Sequence, residues 1–349
     1  MTPTRRGVRA ILLLPALVLI GSLAACAPAV PTTTSPPSAS ASAKPTAAPN
    51  TPPAVAFGGN CESMLETKTA TAFLGAPVSL AASPIVGPPD YAVTSLGGLE
   101  CIWSDPTSKG EQFLDVFALR ADLEPPGDKP LDCDAGSGAD QCYFNVVDGG
   151  YWFSGHAIAV NGVTATPTPA AVASIEALLK ADAKTASAPP ATKAVAGAWT
   201  KPADCNALNT AAGIVAASGS PTLQANPLDT ESDAPDAYYT ALTTSGYLGC
   251  AYASDGTVAT GKLQGFTVEL APGGAWAQKL LSSPPEAGYT KASVSIPGTD
   301  AAYTFSDTQG IEYIEVFKGV NWVAFEPFGG PISVAQLTPV IGGILKALH

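Results

Sequence analysis

Hydrophobic residues recur along this chain with two periods, and each period predicts a different kind of element. Glycine-containing breaks at Asp148-Gly149, Gly155 and Lys318-Gly319 are typical of hairpins between antiparallel strands. Short runs in which apolar or aromatic residues alternate with polar ones predict strands at 113–119, 142–147, 151–153, 157–160, 266–270, 301–305, 311–317 and 322–325. The chain is therefore predicted to contain antiparallel sheets.

Apolar residues at helical spacing predict a helix at the end of each half of the chain. The first helix follows Thr168-Pro169, a cap and a first-turn proline, and has Val172, Ile175, Leu178 and Leu179 on one face. The second begins after Ser333, which is spaced with Gln336 as a capping box. It has one apolar face, formed by Val334, Leu337, Ile341, Ile344 and Leu348. Pro339 is expected to kink this helix or to mark its start.

The two halves share a second pattern, which begins with a capped helix. Asn60-Cys61 and Asp204-Cys205 are each followed by a glycine fourteen residues after the cysteine, Gly75 or Gly219. A second cysteine follows with an aromatic residue two positions on, as Cys101 and Trp103 in the first half and Cys250 and Tyr252 in the second. The prediction is an α+β fold of two tandem similar domains, each an antiparallel sheet with an N-terminal and a C-terminal helix packed on one face. Chance alignment of two unrelated α+β domains is the alternative.

The N-terminus has the features of an export signal. Arg5, Arg6 and Arg9 precede an uncharged run over 10–25, which is shorter than the roughly 20 apolar residues that span a bilayer. Leu23-Ala24-Ala25-Cys26 resembles the bacterial lipobox, so 1–25 is predicted to be a signal peptide and Cys26 to carry the lipid, including palmitate, that holds the chain on the outer side of the cell membrane. An ordinary signal peptide with a chance cysteine is the other interpretation.

Two segments have compositions that predict flexible connections. Residues 26–56 are almost entirely Pro, Ala, Ser and Thr, with Lys44 as the one charged side chain, and are predicted to form a disordered tether. Residues 181–202 are similar and are predicted to be a linker. These boundaries leave 57–180 as the first α+β domain and 203–349 as the second.

Charge limits the classes of partner. Seventeen basic and 29 acidic side chains give a net charge of −12. Removal of the three arginines in the signal leaves fourteen basic residues and a net charge of −15. Such a chain repels phosphate backbones and anionic headgroups, so we expect no nucleic-acid partner and no membrane contact except through the lipid anchor.

Six cysteines remain after Cys26 is set aside, and six cysteines allow 15 pairings. If the halves are copies, Cys61 pairs with Cys101, Cys205 pairs with Cys250, and Cys133 and Cys142 remain to close a short loop. An oxidising compartment and the absence of a Cys-x-x-Cys motif favour structural disulfides over metal ligation or a thiol nucleophile.

This arrangement of Cys, helix, Gly and Cys-x-aromatic resembles exported lipoproteins of actinobacteria that contain a Cys-paired α+β domain. It is also similar to the extracellular sensor domains of mycobacterial-type membrane kinases. The resemblance implies structural cysteine pairs and a role in ligand sensing or partner binding in the cell envelope. The duplication, Tyr252 in place of tryptophan, and the additional Cys133 and Cys142 depart from that pattern.

Catalytic and metal-binding motifs are absent from the sequence. No nucleophile elbow, Walker loop, dinucleotide-binding glycine motif or His-Glu-x-x-His occurs, so no catalytic, cofactor or metal-binding residue is assigned. A Ser-His-Asp triad would require His156 or the terminal His349, and His156 is interpreted as a turn histidine. The acidic run Asp128, Asp132, Asp134 and Asp140 has the oxygen ligands that calcium prefers, but a solvated disulfide loop is the favoured interpretation.

Trp152 and Trp322 are the candidate binding residues, because they occupy loosely corresponding positions beside glycine-containing turns. The expected function is a membrane-anchored, non-enzymatic module that binds a ligand or an envelope protein. A carrier of a hydrophobic molecule or lipid is the alternative, and a cell-envelope hydrolase with a serine-only or carboxylate-only site is the third possibility.

Overall fold

The computed structural model describes residues 51–348 except 82–86, 106–111, 126–130, 136–138, 161–166, 193, 229–235, 255–263, 283–289, 307–311 and 328–332. The described residues form an α+β fold with two antiparallel sheets, one of six strands and one of seven. All of them belong to one unit, Pro45–His349. No described helix is long and apolar enough to cross a membrane.

The first sheet has the strand order β1-β2-β3-β6-β5-β4. Its strands are β1 Ser79–Ala81, β2 Leu99–Ser104, β3 Phe113–Arg120, β4 Asp132–Ala135, β5 Ala139–Asp148 and β6 Tyr151–Val160. The second sheet has the order β7-β8-β9-β13-β12-β11-β10, counted from its other edge. Its strands are β7 Leu223–Pro227, β8 Leu248–Ser254, β9 Gly265–Ala271, β10 Thr290–Ser293, β11 Ala301–Ser306, β12 Glu312–Lys318 and β13 Asn321–Pro327.

Helices pack on both faces of these sheets. The α-helices are α1 Thr67–Leu74, α2 Pro88–Ser95, α3 Pro169–Thr185, α4 Cys205–Ala212, α5 Ile214–Ser218, α6 Ala237–Thr244 and α7 Val334–Ala347. Short 3-10 helices cover Ala56–Gly59, Cys61–Ser63, Ala121–Leu123 and Gly274–Ser282. One core lies between the first sheet and α1 and α3, and another lies between the second sheet and α4, α5 and α7.

The helices α2 and α6 join the two halves of the fold. Ala92 and Val93 of α2 share a buried cluster with Ala241 of α6 and with Leu119 and Trp152 of the first sheet. Tyr91 of α2 also packs against the second sheet, in a cluster that contains Trp322. Each half therefore contributes a helix to the junction, and the inward faces of both sheets are partly covered by it.

Three disulfides link Cys61 to Cys101, Cys205 to Cys250, and Cys133 to Cys142. The first two fasten the start of the N-terminal helical segment of each half to a sheet strand, β2 or β8. The third joins directly opposed residues of β4 and β5. The aromatic residue two positions after each strand cysteine also contacts the N-terminal helical segment of its half. Trp103 donates to the Thr67 hydroxyl, and Tyr252 donates to the Cys205 carbonyl. The predicted pairings are confirmed.

The predicted caps are present, but neither opening helix is continuous. Asn60 and Asp204 accept from backbone amides of the first turn, and Gly75 and Gly219 have positive φ at the helix ends. In the first half a 3-10 turn precedes α1, and in the second half Gly213, with φ +63°, separates α4 from α5. The sequence pattern located the two ends correctly but did not show the interruption between them.

Gly155 does not break a hairpin, which corrects the prediction. β6 runs continuously from Tyr151 to Val160, and Gly155 lies opposite Phe144 of β5. A Cβ added at Gly155 would lie 1.9 Å from the Phe144 ring. Only glycine at this position leaves room for the Phe144 ring to lie across β6. The hairpin turn is instead at Gly149 and Gly150, both with positive φ.

The closing helices confirm the prediction, with two changes. Leu178 is 42% exposed, so the buried face of α3 is formed by Val172, Ile175, Leu179 and Ala183. Because α3 continues to Thr185, it extends into the segment predicted to be linker. The capping box of α7 is present, and Pro339 lies inside this helix.

Candidate functional site

A cleft lies at the C-terminal ends of α2 and α6, where each helix turns into a sheet strand. Asp236 caps α6 by accepting from the Tyr238 amide at 2.7 Å, and Pro88 and Pro89 occupy the first turn of α2. Gly97 and Gly246 follow the two helices with φ near +75° and +84°, which lets the chain reverse directly into β2 and β8. Two helix ends thus meet beside the segment that connects the halves.

The cleft has a volume of about 1030 Å³ and is bounded by both halves and by the connecting segment. Its lining is mainly apolar and aromatic, and includes Tyr91, Leu96, Trp199, Trp276, Val320 and the cationic Lys201. A cavity of this size and character is typical of a site for a drug-sized or larger organic ligand.

Two buried aromatic side chains give one wall of the cleft a fixed shape. Tyr91 donates its hydroxyl hydrogen to the Pro272 carbonyl at 2.5 Å, and its ring centre lies 6.0 Å from that of Trp276. Both side chains are at least 96% buried by their neighbours. The wall is therefore preorganised, so little side-chain entropy would be lost when a ligand binds.

Asn321 at the start of β13 fixes the connecting segment along the cleft. Its side-chain oxygen accepts from the amides of Trp199 at 2.8 Å and Gly273 at 3.1 Å, and its amide group donates to the Gly197 carbonyl at 3.0 Å. Trp199 is itself buried against the second core. Asn321 therefore holds Gly197 and Trp199 of the predicted linker in place beside the second sheet.

The predicted N-terminal tether also ends earlier than its composition indicated. Ala56 is fully buried and donates its amide hydrogen to the Gly97 carbonyl at 2.8 Å. Thr51, Pro53 and Ala54 line the cleft. Cys26 and most of the tether lie outside the described residues.

A partly buried carboxyl group, Glu269, lies between the halves. Glu269 of β9 accepts a hydrogen bond from the Tyr247 hydroxyl at 2.9 Å. Burial raises the pKa of Glu269 to about 7, the Tyr247 bond lowers it, and the nearby acids Glu326 and Asp90 add to the rise. No basic side chain acts on this carboxyl among the described residues, so protonation relieves repulsion at the junction.

Trp152 and Trp322 lie at the same place in their sheets, as the second residue of β6 and of β13. Both are fully buried, at the junction rather than on an open groove. Trp152 donates to Asn145 at 2.9 Å, and Trp322 donates to Glu315. Neither indole is accessible to a ligand in this structure, and their binding role stays a prediction.

His156 is not a turn residue, which corrects the sequence interpretation. It lies in the middle of β6, stacked on Tyr143 with ring centres 4.1 Å apart, and its Nε2 has no hydrogen-bond partner. Burial lowers its pKa to about 4, so the imidazole is neutral at pH 7. Ser154 and Asp115 share its sheet face, but no hydrogen bond joins the imidazole to either, so the groups are not arranged as a catalytic triad.

Within the described residues, no group of three or more His, Cys, Asp or Glu side chains is placed to hold a metal ion. Of the acidic run considered for calcium, Asp128 lies outside the described part of the chain, whereas Asp132, Asp134 and Asp140 lie on β4 and β5. Asp236, a further acidic residue, caps α6, and burial raises its pKa.

Sequence reasoning missed α2 and α6, the helices that build the cleft. Local signals for both exist, since Pro88-Pro89-Asp90 and Asp236 are typical helix starts and a glycine follows each helix. Each helix has eight residues and a mixed apolar pattern, because its sides contact different partners. Such a helix has no single apolar stripe to detect.

Comparison of the chain with models of protein families, with curated proteins and with solved structures found no match.

Proposed function

We propose that this protein is a lipid-anchored, extracytoplasmic and non-enzymatic binding module whose ligand occupies the cleft between the two halves. The observation that carries the proposal is the cleft itself, about 1030 Å³ in volume and lined by α2, α6 and the connecting segment. A ligand there touches both halves at once, so its binding would be coupled to how the halves pack. Such coupling is what a sensing module requires.

The proposal includes two tandem copies of one α+β unit. Read from β1 and from β7, the sheets have matching strand orders, with β10 as an additional edge strand in the second. Cys101 and Cys250 pair with Val116 and Val268 on the next strand, and Trp152 and Trp322 begin equivalent hairpin strands. The helix α2 of the first half packs on the second sheet, and α6 of the second half packs on the first sheet. Such an exchange is expected when two copies of a unit pack about an approximate twofold axis.

The proposed location rests on the N-terminal sequence. A signal peptide over 1–25 and a lipid on Cys26 would hold the module at the outer face of the cell membrane, and three disulfides are consistent with an oxidising compartment. The described unit begins beside the cleft, so the anchored chain would approach the site directly.

A carrier of a hydrophobic molecule is the second candidate, and the lining of the cleft favours it. Tyr91, Trp199 and Trp276 border the cleft with the edges of largely buried rings, and alanines of the connecting segment form much of the remaining wall. Lys201 could pair with an anionic headgroup at the edge of such a ligand.

Native mass spectrometry of the full-length chain, released from the membranes of an actinobacterial host in detergent, tests the proposal. We compare the wild type with Ala194→Trp, which places an indole in the cleft, and with Ala177→Trp, an exposed position on α3. The expected result is a bound mass in the wild type and in Ala177→Trp that is at least tenfold less populated in Ala194→Trp.

The identity of the bound mass separates the two candidates. A lipid or another apolar compound supports the carrier, and a polar metabolite or peptide supports the sensing module. Equal occupancy in the wild type and Ala194→Trp would contradict binding in the cleft, and so would a chain that never carries an additional mass under any growth condition.

A further inference from the structure

A row of side chains crosses the inward face of the first sheet, away from the cleft. Asp115 of β3 pairs directly with His156 of β6, and His156 pairs with Tyr143 of β5. Leu114 and Val116, which flank Asp115, point to the opposite face and are buried in the core beneath α1 and α3. Asp115, His156 and Tyr143 therefore project together from one face, with Phe113 edge-on to His156 at 5.4 Å.

Two polar atoms of this row are buried without a hydrogen-bond partner. They are Oδ1 of Asp115 and Nε2 of His156, on neighbouring strands. The equivalent position in the second sheet, Thr267, also has a buried hydroxyl oxygen without a partner. A buried polar atom without a partner destabilises the folded state, and native proteins rarely leave two side by side. The row therefore contains two neighbouring atoms whose hydrogen-bonding capacity is unmet.

Charge around Asp115 is negative. Its pKa is raised well above the usual range by burial and then by Glu100 and Asp236, and no basic side chain acts on it among the described residues. Asp115, His156, Tyr143 and Phe113 are each only partly buried, although the two unpartnered atoms are themselves covered, so the row must open slightly for a group to reach them. A group that fits here carries positive charge, donates more than one hydrogen bond and stacks on an aromatic ring.

We propose that Asp115 and His156 bind a guanidinium group, whose positive charge would favour the ionised form of Asp115 as one acceptor, with His156 as the neutral acceptor and the Tyr143–His156 pair as the stacking surface. A guanidinium is planar, has five donors in one fork and stacks on aromatic faces, whereas an ammonium is a compact, strongly hydrated point charge. Directly opposed residues of adjacent strands have Cβ atoms about 5 Å apart, a spacing that one fork can bridge. The site is separate from the proposed cleft ligand.

The test uses the imidazole resonances, of which the chain has only two, from His156 and His349. We titrate the full-length protein at pH 7 with a blocked Gly-Arg-Gly tripeptide and, as a neutral isostere, with the same tripeptide containing citrulline. Methylguanidinium chloride is a third probe, which separates a peptide ligand from a free guanidinium. The arginine probe is expected to shift the His156 signal saturably and to leave the His349 signal unchanged.

Asp115→Asn is expected to weaken binding of the arginine tripeptide at least tenfold and to melt no lower than the wild type, because it removes a buried acid among like charges. Asp122→Asn is the matched control, since Asp122 lies just after the same strand, on the surface, in an ion pair with Arg120. It is expected to bind within twofold of the wild type. If Asp115→Asn does not fold, His156→Gln in a calorimetric titration is expected to show the same tenfold loss.

Three results would overturn the proposal. An equal shift with the citrulline tripeptide would remove the role of charge. No saturable shift with either guanidinium probe would mean that water satisfies the two atoms. A shift with calcium chloride alone would identify an inorganic cation as the ligand.

Discussion

Trp152 and Trp322 each donate an indole hydrogen to a side chain of the adjacent strand, but the two acceptors differ in charge. Trp152 has the amide of Asn145 as its acceptor, and Trp322 has the carboxyl group of Glu315. Glu315 is 2% exposed, and burial raises its pKa well above the usual range. The raised pKa favours the protonated acid, which would be the counterpart of the neutral asparagine.

Replacing Glu315 by glutamine is expected to stabilise the protein at neutral and alkaline pH. Because the pKa is higher in the folded than in the unfolded chain, the wild type loses stability as pH rises above about 4.5, the unfolded value. Glu315→Gln keeps an acceptor for Trp322 and does not titrate. Urea unfolding between pH 4 and 8 should show a stability advantage that grows with pH, by roughly 1.4 kcal/mol for each unit of pKa elevation.

Asn145→Asp is the reciprocal test of the same idea. This variant is expected to lose stability as pH rises above about 4. The loss should be smaller than the one that Glu315 causes in the wild type, because Asn145 is only partly buried. Glu315→Ala, which leaves the indole hydrogen of Trp322 without a partner, should cost about 1–3 kcal/mol at pH 4, and this cost should shrink as pH rises because only the wild type loses stability through Glu315. A flat difference between Glu315→Gln and the wild type over this pH range would contradict the protonated assignment.

The helices α4 and α7 approach each other closely at a pair of adjacent glycines in α7. A Cβ at Gly343 would lie 2.2 Å from the Ala212 carbonyl oxygen at the end of α4, whereas a Cβ at Gly342 meets nothing within 4 Å. These neighbours share sequence context but face opposite environments. Only the packing distinguishes them.

Gly343→Ala is expected to destabilise the protein by about 1–3 kcal/mol, because α7 must move away from α4. Gly342→Ala should stabilise it by about 0.5–1 kcal/mol, since alanine restricts the unfolded chain and fits an exposed helical position. Thermal unfolding of the two variants in parallel measures the difference. If both substitutions raised the melting temperature, the close helix contact would be wrong.

On the scale of the whole molecule, α6 of the second half packs with α2 on the first sheet in one apolar cluster, and Tyr91 of α2 packs on the second sheet in another. Ala241 of α6 is fully buried in the first of these clusters, beside residues of α2 and of the first sheet. Such a junction predicts that the halves unfold together, because each half exposes apolar surface once the other has gone.

Ala241→Glu places an unpaired charge in this junction and is expected to cost at least about 3 kcal/mol. We expect the single calorimetric transition of the wild type to become two. Ala177→Glu, at an exposed position of α3, serves as the control and should change stability by less than about 0.5 kcal/mol. A single transition in Ala241→Glu, merely displaced to lower temperature, would show that other contacts couple the halves.

Sequence patterns identified elements whose signals are local or strictly periodic. The β5–β6 and β12–β13 hairpins have turn glycines between alternating runs, and α7 has a cap and one apolar stripe, so all three were predicted. Repetition of the cysteine spacing gave the disulfide partners. The patterns wrongly predicted a hairpin break at Gly155, where the ring of Phe144 on the neighbouring strand leaves room only for glycine. They also missed α2 and α6, because each of these helices contacts several partners.

The sequence by itself determined the α+β class, the antiparallel strands, the caps at the helix ends and the cysteine pairs, because those depend on short-range stereochemistry and on spacing. Tertiary structure alone decided the cleft, the burial of both tryptophans and the pairing of Asp115 with His156. These features arise where residues distant in sequence meet. No local pattern encodes which faces of two sheets will enclose the same pair of helices.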